Sequence, residues 1–175
     1  RKKPLVTVII PAYNAKDYIV QAMDSVVHQT LTEVVQLIVV DDCSEDGTGE
    51  TIKNYMEAFY EKRMDNRQIL FRQNVFNSGV AQTRNLGIRE AQGDYVAFLD
   101  ADDWWEDGKL SAQLEALDKT GDVLCSTGRD LMNPDGTSTG KYIPVKSRLD
   151  YRQLLKHNSI NCSSVLILRE VALEF

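Results

Sequence analysis

Three apolar runs in this sequence end on residues suited to holding a ligand. Leu5–Ile10 leads into Pro11-Ala12-Tyr13-Asn14, Val34–Val40 into Asp41-Asp42, and Tyr95–Leu99 into Asp100-Ala101-Asp102-Asp103. A single aspartate in such a place is an ordinary strand-ending turn residue. Side by side, however, the runs would bring five carboxylates to one edge. Two unit charges about 4 Å apart repel by roughly 4 kcal/mol at an intermediate dielectric, more than a surface ion pair returns. The cluster therefore calls for a cation, or for hydrogen-bond donors on a ligand. Carboxylate oxygens suit Mg2+ or Mn2+, which complete their shells with phosphates and water. His28 and His157 are distant in sequence from all three run ends, so a zinc site is not expected.

Two other side chains stand out. Tyr13 follows a strand in a polar stretch, where its ring could stack on a base or sit half-buried under a loop. Arg84 lies one helical turn after Val80, on the stripe shared by Gly87, Ile88 and Ala91. A charge on an inward stripe needs a partner, either a core carboxylate or a ligand phosphate.

The elements that must hold these residues follow from periodicity. Leu5–Ile10 reads as a buried strand closed by Pro11. Ala15, Tyr18, Ile19, Ala22, Met23, Val26 and Val27 then draw one stripe down a helix. Val34–Val40 is a second strand, and Ile52, Tyr55, Met56, Phe59 and Tyr60 mark a second helix. Gln68–Arg72 is a third strand, followed by a helix over 80–91 that Gly93 should stop. Tyr95–Leu99, a helix around Leu110, Leu114 and Leu117, and Val123–Ser126 continue the alternation. Strands apolar throughout are covered on both faces, so the expected class is α/β with a largely parallel sheet. Ligands of such sheets bind beyond the carboxyl ends of the strands, where the aspartates fall. After Ser126 the texture changes: Asn133-Pro134-Asp135-Gly136 signals a turn, and 127–144 reads as a hairpin outside the alternation. A short helix over 150–157 and a last strand over 164–168 complete the reading, all within one domain.

Bulk properties exclude other classes. With 43% hydrophobic residues the chain can bury a core, and a net charge of −6 argues against a nucleic-acid surface. Cys43, Cys125 and Cys162 are irregularly spaced, which suits reduced thiols better than a disulfide framework. No run approaches the roughly 20 apolar residues of a membrane span. These features point to the cytoplasm, with room for a longer protein to work at the cytoplasmic face of a membrane.

The ordered set Val6–Asn14 (VTVIIPAYN), Val40–Thr48 (VDDCSEDGT), Asn77–Gly87 (NSGVAQTRNLG) and Gly93–Asp103 (GDYVAFLDADD) closely resembles the family 2 glycosyltransferases with the GT-A fold. The resemblance implies a three-layer α/β sandwich, a nucleoside-diphosphate-sugar donor and inverting transfer. It implies that Pro11, Ala12 and Tyr13, with Asn14 beside them, line the nucleobase. Asp42, with Asp41 next to it, would accept from the base edge, which suits the N–H of a uracil and hence a UDP-sugar. Asp100-Ala101-Asp102 looks like the family's DXD motif. Its first aspartate would serve ribose or sugar hydroxyls, Asp102 would hold Mn2+ or Mg2+ on the diphosphate, and Asp103 would support it from behind. Arg84 is the candidate for a phosphate. The acceptor would be a carbohydrate or a lipid-linked sugar.

The sequence departs from the family pattern in two places. Trp104-Trp105-Glu106-Asp107 stands where a proline often follows the DXD motif. Apart from Glu106-Asp107, close behind the motif, no Glu-Asp pair occurs after Asp102, and the base is expected beyond Phe175. Competing readings fit less well. A phosphatase-like phosphoryl transferase would need Thr or Val at Asp103, and a receiver-type signalling module would need a lysine near Cys125–Arg129. Dinucleotide and P-loop enzymes would need a glycine-rich phosphate loop after a strand, and there is none.

Overall fold

The computed structural model describes residues 2–62, 64–133, 135–145, 152 and 160–174. The helix expected over 150–157 lies outside them, Arg152 aside.

The chain alternates strand and helix: β1 (Val6–Ala12), α1 (Ile19–Val27), β2 (Val35–Asp41), α2 (Thr48–Glu61), β3 (Arg67–Gln73), α3 (Val80–Glu90), β4 (Tyr95–Phe98), α4 (Lys109–Thr120) and β5 (Leu124–Ser126). The hairpin β6 (Arg129–Met132) and β7 (Ser138–Ile143) follows, then a single 3-10 turn at Cys162–Ser164, β8 (Val165–Leu168) and the short helix α5 (Arg169–Ala172). The main sheet has the order β3-β2-β1-β4-β8-β5, and β6-β7 form a separate two-stranded sheet.

Strand burial alternates between two helical layers, as period-2 geometry requires. Val6, Val8, Ile10, Leu37 and Val39 face one core with Ile19, Met23, Val26, Ile52, Leu110 and Leu117 from α1, α2 and α4. Ile9, Ile38, Val40 and Val96 face the other, against Leu86 and Ile88 of α3 and the adjoining Ala91. Helix α3 lies close on the sheet because it carries Gly87 there: an added Cβ would come 2.5 Å from Ile9 Cγ2.

The structure corrects several boundaries. Pro11 does not close β1 but lies within it, opposite Val40; near a strand end its missing N–H costs little. Ala15–Tyr18 is a turn, closed by Tyr18 N–H on Ala15 O, and the helix begins at Ile19. Gly93 is not a left-handed helix stop, since α3 ends at Ala91 in an extended conformation. Gly93 is required because a Cβ there would lie 2.6 Å from Thr7 N and 2.8 Å from Val6 C. The parallel reading holds for β3, β2, β1 and β4. The strand that makes the sheet largely rather than wholly parallel is β8, inserted antiparallel between β4 and β5.

Buried Arg67 organises the opposite end of the sheet. Its guanidinium donates to the carbonyls of Val27, Gln29, Leu31, Glu33 and Asn66, at 2.6–3.3 Å.

Candidate functional site

The carboxyl ends of β1, β2 and β4 adjoin, because these strands are neighbours in the sheet. The loops after β1 and β2 are braced to each other. Asn14 N–H donates to Ser44 Oγ, Glu45 N–H to Asn14 Oδ1, Ala15 N–H to Thr48 Oγ1 and Lys16 N–H to Asp46 Oδ2, at 2.9–3.1 Å. Asn14 and Cys43 both have positive φ, 48° and 63°, and such residues cluster at functional loops. The bracing leaves Tyr13 52% exposed above buried Pro11 and Ala12. Of the residues expected to line a base after β1, Tyr13 and Asn14 are thus the ones with side chains at the surface, and the Asn14 amide oxygen is already engaged.

Asp41 and Asp42 are both buried, and the protein supplies donors to each. Asp41 accepts from Ser44 N–H at 3.2 Å, from Ser44 Oγ–H, and from Gln73 Nε2 at 2.8 Å. This departs from the expectation that Asp41 faces a base edge, since its carboxylate points inward. Asp42 accepts from Asn74 Nδ2 at 2.6 Å, Ser78 N–H at 2.9 Å and Gly79 N–H at 2.8 Å. It therefore caps the approach to α3. Burial pushes its pKa up, but the hydrogen bonds from Asn74, Ser78 and Gly79, helped by the nearby Thr83 side chain, outweigh burial and hold the carboxyl below its ordinary value. Asp42 Oδ2 carries one of these bonds, so it keeps a lone pair to offer.

After β4 the chain turns at once, with Asp103 N–H donating to Asp100 O at 3.0 Å. Asp102 is exposed at the tip and Ala101 is buried beneath it. Arg84 reaches from α3 and pairs with Asp100. Of the two partners open to Arg84, the structure supplies the carboxylate. Its Nε is buried with no acceptor among the described residues. Asp103 is half-buried, and its pKa is raised by burial first and by the Asp102 and Asp100 charges next, against the pull of Ser163 and Arg129.

A cation at this turn would find a particular donor set. Among the described residues no three His, Cys, Asp or Glu side chains are grouped as a metal cage. Asp100 is paired with Arg84, and Asp103 lies against Ser163. Among the described residues of this turn, Asp102 is the aspartate with no partner, and it is exposed. This fits a Mg2+ or Mn2+ ion bound through one carboxylate and completed by phosphates and water, rather than a site wholly built by protein.

Sequence reasoning missed the residues beneath the turn. Trp105 is buried, and its indole N–H donates to Ser163 O at 2.7 Å. Lys109 Nζ sits 3.9 Å from the centre of the Trp105 ring and donates to Gln113 Oε1 at 2.6 Å. Burial lowers the lysine pKa to about 7, opposed by Cys125. Only the spacing Trp105–Lys109–Gln113, four residues each, hinted at this stack.

Known proteins resemble this chain in sequence and in fold. The family model described as "Glycosyl transferase family 2" matches residues 7–174. TuaG of Bacillus subtilis (strain 168), a glycosyltransferase assigned provisionally by name to teichuronic acid biosynthesis, is 42% identical over 168 residues, 96% of this chain and 64% of that protein. WfaP of Escherichia coli, named a UDP-Glc:alpha-D-GlcNAc-diphosphoundecaprenol beta-1,3-glucosyltransferase, is 34% identical over 163 residues, 93% of this chain and 60% of that protein. The chain thus spans under two thirds of the length of these relatives. Among solved structures, S. aureus TarS 1-349 with UDP-GlcNAc superposes with a TM-score of 0.73 at 22% identity, over 97% of this chain and 46% of that one. The mannosyltransferase PcManGT of Pyrobaculum calidifontis, with GDP-Man and Mn2+, gives 0.70 at 21% identity, over 97% and 46%. At those identities the likeness is one of fold, and the fold is GT-A. In the described residues no helix is long and apolar enough to cross a membrane.

Proposed function

The chain belongs to glycosyl transferase family 2, and on that premise we propose that it is the donor-binding part of an inverting, metal-dependent enzyme that takes a UDP-sugar. The observation that carries this reading is the Asp100–Asp103 turn, which leaves one outward carboxylate, Asp102, at the carboxyl edge of the sheet. Tyr13 offers a ring face to the base, and Asp42 Oδ2 an acceptor to its N–H. Arg84 aligns Asp100 for ribose or sugar hydroxyls, and its guanidinium, on a side chain 21% exposed, is the candidate for a diphosphate oxygen. Asp102 would hold Mn2+ or Mg2+, which when bound offsets the charge of the leaving diphosphate. The acceptor in this reading is a hydroxyl of a carbohydrate or a lipid-linked sugar in cell-wall or surface-polysaccharide assembly. Support for it comes from the names of TuaG and WfaP.

Titration calorimetry of UDP, GDP and ADP, each with and without Mn2+, tests the proposal. UDP should bind most tightly, and its affinity should rise with the metal. Equal UDP affinity in both conditions would refute the metal reading, and equal affinity for the three nucleotides would refute the base assignment.

A further inference from the structure

The turn that presents Asp102 is short and lies at the surface, yet its two ends are gripped from one place far along the chain. Asp100 N–H, at its start, donates to Ser163 Oγ at 3.0 Å. Trp105, just past its end, donates its indole N–H to the main-chain oxygen of the same residue at 2.7 Å. Ser163 is itself fixed. It lies in the 3-10 turn Cys162–Ser164, where Asn161 Oδ1 accepts its N–H at 2.9 Å. The next residue is tied to the fold as well, since Ser164 O accepts Gln113 Nε2 at 2.9 Å and Thr127 N–H at 3.2 Å. Ser163, Ser164, Trp105 and Gln113 are all buried, so water competes little for these bonds.

We propose that Ser163 is a positioning residue for donor binding: its hydroxyl fixes the Asp100–Asp103 turn and thereby aims Asp102 at the metal and diphosphate. The inference rests on the metal-dependent reading above. Without the hydroxyl, the turn keeps its hold at Trp105 but loses the one at Asp100, and the Asp102 side chain between them samples more orientations. Groups that orient a metal ligand typically carry 10–100-fold in metal affinity.

Ser163→Ala is therefore expected to cut the gain in UDP affinity that Mn2+ brings by about tenfold, a loss beyond any change in metal-free UDP affinity. Ser164→Ala is the control. Its hydroxyl is equally buried but donates within the 3-10 turn, to Asn161 O at 2.6 Å, and its loss should leave the metal-dependent gain intact. If both variants lose that gain alike, the turn is merely structural and the proposal is overturned. If Ser163→Ala keeps the full gain, the proposal fails while the metal reading stands. A wild-type chain with no gain from metal removes the metal reading and this proposal together. Should Ser163→Ala not fold, amide hydrogen exchange of the wild type decides: Asp100 N–H must exchange as slowly as the amides of β4, and fast exchange overturns the proposal.

Discussion

Replacing Asp42 by asparagine should weaken the fold before it weakens any ligand. The carboxylate accepts from three donors, and the isosteric amide has one acceptor oxygen and one NH2 group. If the oxygen stays at Oδ1, it keeps Asn74 Nδ2 and Ser78 N–H, and the new NH2 group meets Gly79 N–H. The unmatched donor costs about 1–3 kcal/mol. The two surviving bonds lose their ionic character, and α3 loses an anion beside its first turn, worth about 0.3–1 kcal/mol. The combined expectation is roughly 3 kcal/mol. In a domain of this size each kcal/mol moves the midpoint by about 2–4 °C, so Tm should fall by roughly 6–12 °C. Circular dichroism melting at pH 7 without nucleotide measures it. The pH dependence gives a second check. The folded pKa of Asp42 is depressed, so its ionised form adds stability above the unfolded carboxyl value of about 3.9. That stability is lost as pH falls through the lower, folded value. The gap between wild type and Asp42→Asn should therefore narrow in that acid range. A Tm within 1 °C of wild type at pH 7 would refute the capping role, and a selective loss of uridine binding would then assign Asp42 to the base alone.

Asp102→Asn should abolish the Mn2+ dependence of UDP binding in calorimetry while apo Tm holds or rises, because one like charge leaves the cluster; a Tm lower by several degrees would make Asp102 structural. Arg67→Met takes a donor from five carbonyls, of which Asn66 O keeps Val35 N–H, and chemical denaturation should show a loss of about 3 kcal/mol or more. Gly93→Ala forces the backbone of β1 away from a contact of 2.6 Å; the expected loss is about 1–3 kcal/mol, read by the same method. For Lys109, a folded pKa of about 7 lies below its unfolded value, so the cost of burying the ammonium is fully present below pH 7 and is relieved as pH rises above it. Lys109→Met should raise Tm at pH 6, and the gain should shrink by pH 9. An equal gain at both pH values would show that the charge is irrelevant.

The α/β class and the carboxyl-edge site were legible because both rest on local signals. Apolar runs such as Leu37–Val40 mean strands covered on both faces, and Asp-rich breaks mark where they stop. The position of β8 was not legible. A four-residue apolar strand reads alike in either direction, and its antiparallel insertion is set by pairing with β4 and β5. Gly93 was misread for a similar reason: a glycine after a helix suits a cap, and only the tertiary contact with Thr7 shows the true constraint. Ser163 and the Trp105–Lys109 stack were invisible because their partners lie 58 residues apart in one case and at helical spacing in the other.

The same distinction revises the electrostatics of the site. Counted along the sequence, five carboxylates call for a cation or for hydrogen-bond donors on a ligand. In the fold, Asp41 and Asp42 draw donors from Ser44, Gln73, Asn74, Ser78 and Gly79, and Asp100 pairs with Arg84. Asp103 is half-buried, and its pKa is raised by that burial first. What remains outward is Asp102. On the proposed reading a cation would thus find one protein carboxylate and would need phosphate oxygens for much of its shell. Metal and nucleotide should then bind as a linked pair, each weak alone, and by linkage each should raise the affinity of the other by the same factor. Titrating Mn2+ into the chain with and without saturating UDP, and UDP with and without saturating Mn2+, measures both factors. Tight Mn2+ binding in the absence of UDP would mean that a second carboxylate, Asp100 or Asp103, leaves its partner to join the site.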